Sequence, residues 1–158
     1  MNRQDVRESL MEERDEFEMD LQVAARSQMP VLISGSPRCA LMLAQAIAGL
    51  PSRVDRTMKI VSCDVADCDL EAAFTAPASE TVRPRRTPVL LLREVHALTQ
   101  AGQSVLRRLL SSRPFEAPRV FASTSVALDQ RVKDGLFDPD LFYRLNTIHL
   151  VISEGQYE

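Results

Sequence analysis

Apolar residues are grouped into short runs along the chain, and each run predicts a β-strand. The runs occupy residues 31–35, 59–63, 89–92, 120–124 and 147–152. Most are rich in Val, Ile and Leu with little polar alternation, which is typical of strands buried on both faces. Segments with helical spacing of apolar residues lie between them, at residues 40–50, 101–112, 128–133 and 139–145. This alternation predicts a mainly parallel sheet covered by helices on both faces.

Two further stretches complete the pattern. Residues 1–29 are dense in charge, but four apolar residues fall near helical spacing and predict an amphipathic helix lying on the core: Leu10, Phe17, Leu21 and Ala25. Residues 64–86 contain prolines, and their apolar residues show no clear helical or strand periodicity, so we expect an exposed loop. We therefore divide the chain into an N-terminal helical segment, residues 1–20, and one α/β domain, residues 21–158.

Composition narrows the class of protein. The 158 residues are 45% apolar and 26% charged, which fits one globular domain. Nineteen Lys and Arg against 22 Asp and Glu give a net charge of −3, so we expect no direct binding of nucleic acid. No apolar stretch approaches the roughly 20 residues of a membrane span, and the N-terminus is charged where a signal peptide would be apolar. A cytoplasmic protein without membrane contact is expected.

Cysteine and histidine give no complete set of metal ligands. Cys63 and Cys68 have a spacing that could begin a zinc site, but no second pair completes it. His96 and His149 stand alone in the sequence. We therefore expect no metal, and we expect the three cysteines to be small core or loop residues.

Residues 35–42 stand where a parallel α/β protein carries a phosphate-binding loop, because they join the first strand to the next helix. Against the pattern G-x-x-x-x-G-K-[ST], Gly35 is retained. Leu41 and Met42 replace the lysine that neutralises phosphate charge and the hydroxyl that holds Mg²⁺. We interpret the whole stretch as a vestigial phosphate loop: Gly35, Ser36, Arg38, Cys39, Ala40, Leu41 and Met42.

The end of the third strand carries Arg93 and Glu94, where an NTPase of this kind has Asp-Glu. A cation at the first position repels Mg²⁺. Glu94 stands where the attacking water would be oriented, and the alternative is that it is a surface acid at a strand end.

Four sequence blocks, residues 31–35, 90–98, 119–125 and 135–146, resemble in their order the AAA+ domain of bacterial sigma-54-dependent transcription activators. The last block is the most specific. The family pattern is approximately G-x-F-R-x-D-L-Y-Y-R-L-N, and eight positions match it: Gly135, Phe137, Asp140, Leu141, Tyr143, Arg144, Leu145 and Asn146.

The resemblance implies a three-layer, P-loop NTPase-like (AAA+) core with a five-stranded parallel sheet. Active relatives form ATP-driven rings that remodel the sigma-54 holoenzyme. Because the sequence ends soon after the fifth strand, we expect no helical lid domain, helix-turn-helix or receiver domain here.

Individual positions follow from the same resemblance. Arg144 falls on an arginine-finger residue, Asp138 on a second finger arginine, and Ser125 on the sensor asparagine. An alternative for Arg144 is a structural ion pair with Asp140, one helical turn earlier.

Residues 72–77 are the nearest equivalent of the loop G-A-F-T-G-A through which the family contacts sigma-54. They make Phe74 and Thr75 candidate partner-binding residues. An ordinary loop with one packed phenylalanine is the alternative.

These observations together predict a catalytically inactive sigma-54 interaction domain that serves as a regulatory or protein-docking module in transcription regulation. Its partners would be AAA+ subunits, the sigma-54 transcription machinery or a second copy, and no cofactor is expected. Glu94 and Arg144 would be vestigial catalytic residues. The alternative is a residual ATP-binding domain or weak ATPase, in which Arg38 and backbone amides near Cys39 still hold ATP or ADP.

Overall fold

Five parallel strands form the sheet that positions every candidate residue. The structure, a computed structural model, describes residues 3–49, 58–65, 68–74, 89–112 and 118–152. The strands are β1 (Val31–Ser34), β2 (Met58–Ser62), β3 (Val89–Arg93), β4 (Arg119–Thr124) and β5 (Ile148–Val151). Their order in the sheet is β2-β3-β4-β1-β5, and all four pairings are parallel. The predicted parallel sheet is confirmed.

Helices cover both faces of this sheet. They are α1 (Arg3–Arg26), α2 (Pro37–Ile47), α3 (Leu70–Phe74), α4 (Gln100–Ser111), α5 (Leu128–Lys133) and α6 (Pro139–Leu145), with a short 3-10 turn at Val95–Ala97. Residues of α1 and α2 pack with one face of the sheet, and residues of α3 to α6 pack with the other. Alternating strand residues supply both cores, so Leu32 and Leu90 face one side while Ile33 and Leu91 face the other. The predicted three layers are present.

Helix α1 is attached to the domain by its C-terminal part. Ala24 is buried, Phe17 and Leu21 are half-buried, and the described side chains of residues 3–16 are exposed. The buried guanidinium of Arg119 donates a hydrogen bond to the carbonyl oxygen of Ala24 and lies 4.8 Å above the ring of Phe121. The predicted helix is confirmed and runs without a break through residue 20. Of the residues predicted to face the core, Phe17 and Leu21 do so, Ala25 is exposed, and the side chain of Leu10 lies outside the described residues.

The predicted loop over residues 64–86 is wrong for residues 70–74, which form α3. Leu70 and Ala73 are buried, and the Nζ of Lys59 donates to the carbonyl oxygen of Ala72 at 3.1 Å. An ion pair between Arg108 and Glu71 joins α4 to α3. A helix this short buries only two apolar residues, too few to produce a recognisable period.

Among the described residues, no helix has the length and apolar content that a membrane span requires.

Candidate functional site

The candidate residues converge at the carboxyl edge of the sheet. The amide of Gly35 donates to the carbonyl oxygen of Thr124 at 3.0 Å, joining the ends of β1 and β4. Ser125, just after β4, donates from its hydroxyl to Oε2 of Glu94, just after β3, at 2.6 Å. Gly35 and Glu94 both lie at this edge, because parallel strands end on one side of a sheet.

The turn between β1 and α2 is shorter than a phosphate-binding loop. Helix α2 begins at Pro37 rather than at residue 40, so the predicted boundary is wrong by three residues. Ser36 is the N-cap: its hydroxyl accepts from the amide of Cys39 at 3.3 Å, and its carbonyl accepts from the amide of Ala40 at 2.9 Å. Ser followed by Pro is a common start of a helix. The amides that would surround a phosphate are therefore absent at Pro37 and engaged within the helix at Cys39 and Ala40.

Gly35 has a packing role in this turn. A Cβ atom at Gly35 would lie 3.0 Å from the Cβ of Ile152. The amide of Ile152 donates to the carbonyl oxygen of Ser34 at 2.8 Å, which holds the end of β5 against the turn. The close approach of these two segments is sufficient reason for glycine at this position.

The other residues of the vestigial phosphate loop belong to α2. Ala40 is fully buried and Leu41 is half-buried against the core. Cys39 and Met42 line an apolar groove of about 490 Å³ between α1 and α2. Arg38 is exposed and is the cation of this stretch.

Glu94 is held in a strained conformation. Its backbone has φ 53° and ψ 51°, in the left-handed region that residues other than glycine rarely adopt. Its side chain is 17% exposed, with Oε2 also lying 3.4 Å from Nε2 of His96. Oε1 is buried and has no partner among the described residues. The alternative of a surface acid is therefore wrong, and the hydrogen bond from Ser125 helps to keep the strained backbone in place.

His96 links Glu94 to β4. Its Nδ1 lies 3.0 Å from the hydroxyl oxygen of Thr124, and that hydroxyl donates to the carbonyl oxygen of Val126 at 2.9 Å. Thr124 is fully buried. The order Thr, His, Glu resembles an activated nucleophile, but the hydroxyl proton is already engaged and no substrate can reach it. We therefore assign this array a structural role.

Both histidines predict a pH dependence of stability. Burial lowers the pKa of His96, partly offset by Glu94, and burial likewise lowers the pKa of His149. Each contributes stability that is present above the unfolded pKa of about 6.5 and is lost as the pH falls below it, because protonation is harder in the folded state. We expect the melting temperature to fall between about pH 7 and pH 5 and to fall less in a His96→Gln/His149→Gln variant. A double variant with the same slope as the wild type would contradict this assignment.

Arg93 occupies the place of a metal-binding acid. It is half-buried, its carbonyl oxygen accepts from the amide of Cys63 at 2.9 Å, and its Nε has no partner among the described residues.

Burial raises the pKa of the Cys63 thiol to about 12, so this thiol stays protonated at neutral pH. In the described parts of the chain, no group of three or more His, Cys, Asp or Glu side chains could hold a metal ion.

Asp138, at the position of a finger arginine, is turned toward its own domain. Its carboxylate caps α6 by accepting from the amides of Asp140 at 2.8 Å and Leu141 at 3.3 Å. The same carboxylate lies 3.0 Å from Nη1 of Arg107 on α4. The Asp138 amide donates to the side-chain oxygen of Gln103 at 2.8 Å. Asp138 therefore fastens the start of α6 to α4.

Arg144 is exposed on α6 and forms no ion pair with any described residue. The alternative in which it pairs with Asp140 is wrong: the Asp140 carboxylate instead lies 3.7 Å from Arg107. Arg144 is thus the candidate finger residue that the structure leaves accessible.

Phe74 ends α3 and is half-buried against the core on that side of the sheet. This environment agrees with the interpretation of a packed phenylalanine. Thr75 lies outside the described residues.

The roles of two polar residues near α6 are not predicted from the sequence. Gln103 is buried and forms three hydrogen bonds, but a single glutamine on a helix carries no signal of burial. The capping role of Asp138 does have a signal, because Asp138 followed by Pro139 has the form of an N-cap and N1 pair.

Comparisons with known proteins agree with this fold. The Sigma-54 interaction domain family matches residues 12–154. The sigma54-dependent transcriptional regulator SfnR of Pseudomonas fluorescens is 30% identical over 157 residues, covering 84% of this chain and 42% of that protein. The regulatory protein AtoC of Escherichia coli is 40% identical over 73 residues, covering 40% of this chain and 16% of that protein.

Solved structures show the same fold at low sequence identity. NtrX from Brucella abortus in complex with ADP has a TM-score of 0.62 and 21% identity, covering 87% of this chain and 35% of that chain. The P-loop NTPase domain of a sigma-54 activator from E. coli has a TM-score of 0.56 and 14% identity, covering 85% of this chain and 96% of that one. The chain therefore has the P-loop NTPase (AAA+) fold.

The chain spans less than half the length of the two curated relatives named above. The family match, in contrast, extends over most of the chain, including every strand of the sheet. The chain belongs to the Sigma-54 interaction domain family.

Proposed function

We propose that the chain is a regulatory or protein-docking module of sigma-54-dependent transcription regulation and that it works without nucleotide chemistry. The family and the relative named as a sigma54-dependent regulator support the first part. One observation carries the second part. The segment that should cradle phosphate is the first turn of α2, where Pro37 has no amide hydrogen and the amides of Cys39 and Ala40 bond to Ser36.

The charges at the same edge support this proposal. Leu41 and Met42 offer neither a cation for the phosphates nor a hydroxyl for Mg²⁺. Arg93 places a positive charge where the metal would be bound, which repels a divalent cation. Glu94 is bonded to Ser125, and among the described residues no group of three or more His, Cys, Asp or Glu side chains could hold a metal ion beside it.

The surfaces left for a partner lie elsewhere on the domain. Asp138 points toward Arg107 and cannot stabilise a neighbour's phosphate, since a carboxylate would repel it. Arg144 remains exposed and can meet a protein partner. The docking domain would comprise residues 21–158 and would act in the cytoplasm. Residues 1–20 would be an N-terminal helical segment, which α1 (Arg3–Arg26) joins to this domain without a break.

Residual nucleotide binding is the second candidate. Structures of NtrX in complex with ADP and with ATP have TM-scores of 0.62 and 0.61 to this chain. In this candidate, exposed Arg38 at the start of α2 would supply the charge for a phosphate of ATP or ADP.

Calorimetric titration with Mg²⁺-ATP and Mg²⁺-ADP separates the two candidates. We expect no binding with a dissociation constant below about 1 mM, and no Mg²⁺-dependent release of phosphate above the rate without protein. Arg38→Ala should give the same titration as the wild type. Saturable binding that Arg38→Ala removes would overturn the nucleotide-independent proposal in favour of residual binding.

A further inference from the structure

Two cysteines lie on the connection between β2 and α3. We propose that Cys63 and Cys68 form a redox modification site, at which hydrogen peroxide converts the two thiols into a reversible disulfide that ties the start of α3 to the end of β2. The inference goes beyond the proposed docking function and does not depend on it.

Hydrogen bonds fold the chain between the two cysteines into a compact shape. The amide of Val65 donates to the carbonyl oxygen of Ser62 at 3.4 Å, and the amide of Cys68 donates to the carbonyl oxygen of Val65 at 3.3 Å. Each bond closes a turn of four residues, whose first and fourth Cα atoms lie within about 7 Å of each other. A disulfide requires a similar separation of its two Cα atoms. The backbone from Cys63 to Cys68 is therefore folded back, as a disulfide needs, and not extended.

The two side chains also lie close together. Cys63 is buried in the core on the α3 side of the sheet, and the half-buried Cys68 packs against the same core. Burial is the main cause of the raised pKa of Cys63, and a thiolate at Cys68 is the next, ahead of the carboxylate of the adjacent Asp64. Such an influence of one thiol on another requires a short distance between them. Cys39, in contrast, packs on the opposite face of the sheet.

The different exposure of the two thiols gives them different roles in the reaction. Cys68 is accessible to solvent, so its sulfur attacks one oxygen of the peroxide. The O–O bond breaks, Cys68 becomes a sulfenic acid, and the leaving hydroxide takes up the thiol proton to form water. The sulfur of the protonated Cys63 then attacks the sulfur of Cys68, the S–O bond breaks, and the Cys63 proton leaves with the hydroxyl as a second water. Two thiols are thus oxidised to one disulfide while one peroxide is reduced to two waters.

The disulfide acts on α3 through the residues on either side of it. Asp69, which follows Cys68, accepts at Oδ1 from the amide of Ala72 at 2.9 Å and so caps the start of α3. The amide of Cys63 donates to the carbonyl oxygen of Arg93 at 2.9 Å, which attaches the end of β2 to β3. The bond therefore fixes the first turn of a five-residue helix to the sheet. This added attachment reduces local opening of α3, because so short a helix has few contacts of its own.

Peroxide treatment of the reduced full chain tests the site. With about one equivalent of hydrogen peroxide, the thiols titrated in denaturant should fall from three to one, the mass should fall by about 2 Da, and dithiothreitol should restore all three thiols. An endoproteinase that cuts before aspartate separates the two cysteines at Asp64, so their fragments should stay joined until they are reduced. Amide hydrogen exchange over α3 should slow by about threefold or more on oxidation, while exchange over α2, on the opposite face of the sheet, stays unchanged.

Single variants assign the steps. In Cys63→Ala, oxidation of Cys68 should stop at the sulfenic acid, which dimedone traps, whereas in Cys68→Ala the buried Cys63 should keep its thiol. Cys39→Ser is the matched control, and it should form the disulfide within about twofold of the wild-type rate. If Cys63→Ala fails to fold, the fragment analysis of the wild type and of Cys39→Ser decides alone.

Four results would overturn the proposal. They are a wild type that keeps all three thiols, a disulfide that includes Cys39 or joins two chains, a Cys63–Cys68 bond that forms only in urea, and unchanged hydrogen exchange over α3 after oxidation.

Discussion

Replacing Gln103 by leucine is expected to destabilise the domain by about 3 kcal/mol, although the side chain keeps its approximate volume. Gln103 is buried on α4, and its Nε2 donates to the carbonyl oxygens of Leu98 at 3.0 Å and Leu136 at 3.1 Å. Its Oε1 accepts from the amide of Asp138 at 2.8 Å. Gln103→Leu removes all three bonds and leaves backbone groups unpaired in a largely dry environment. Urea unfolding measures this loss of unfolding free energy. We expect its dependence on urea concentration, the m-value, to stay unchanged.

The matched control is Gln100→Leu, on the same helix. Gln100 is exposed at the start of α4, so this substitution should change the unfolding free energy by less than about 0.5 kcal/mol. Equal effects of the two substitutions would show that helix propensity, not hydrogen bonding, determines the result. An effect of Gln103→Leu below about 1 kcal/mol would mean that water replaces the lost partners.

Most strands and helices were predictable because the hydrophobic pattern of each segment agrees with the element that it forms. Residues 89–92 form an unbroken apolar run and become β3, buried on both faces. The predicted bounds of α5 and α6 equal those observed. Burial on both sides of a parallel sheet requires such runs, so hydrophobic pattern alone carries this information.

The position of the candidate site in the fold was predictable, but the backbone conformation of its residues was not. Strand ends located Gly35 and Glu94 at one edge, since the topology of parallel strands leaves no other arrangement. The helical spacing of apolar residues begins at residue 40, whereas Ser36 and Pro37 form an N-cap and first helical residue that start α2 three residues earlier. Glu94 has a left-handed backbone and accepts a hydrogen bond from Ser125, which is 31 residues away in sequence, so the pattern around Glu94 does not predict either feature.

Long-range polar contacts were the least predictable part. Asp138 and Arg107 are far apart in sequence, and their pairing follows from how α4 packs against α6. The family resemblance placed Asp138 at an arginine-finger position and so described it only as a loss. The structure gives this aspartate a specific function within the chain, in capping and pairing.

The second large effect is expected from Asp138→Arg, which restores the residue type that the family resemblance implies. The substitution removes the cap of α6, worth about 1 kcal/mol, and sets an arginine against Arg107 and the positive end of a helix. We expect a total loss of about 2 to 3 kcal/mol in unfolding free energy, measured by urea unfolding. We expect no gain of ATP hydrolysis, because groups that act as a unit are not recovered singly.

Asp138→Asn separates the two contributions to that loss. Asparagine caps helices about as well as aspartate but forms no ion pair, so we expect it to cost about 1 kcal/mol or less. Adding Arg107→Glu to Asp138→Arg should recover the ion pair with its charges exchanged, but not the cap. A double variant as unstable as Asp138→Arg alone would show that the contact between α4 and α6 depends on capping and not on charge. Full recovery would show that charge alone, not the cap, fastens α6 to this domain.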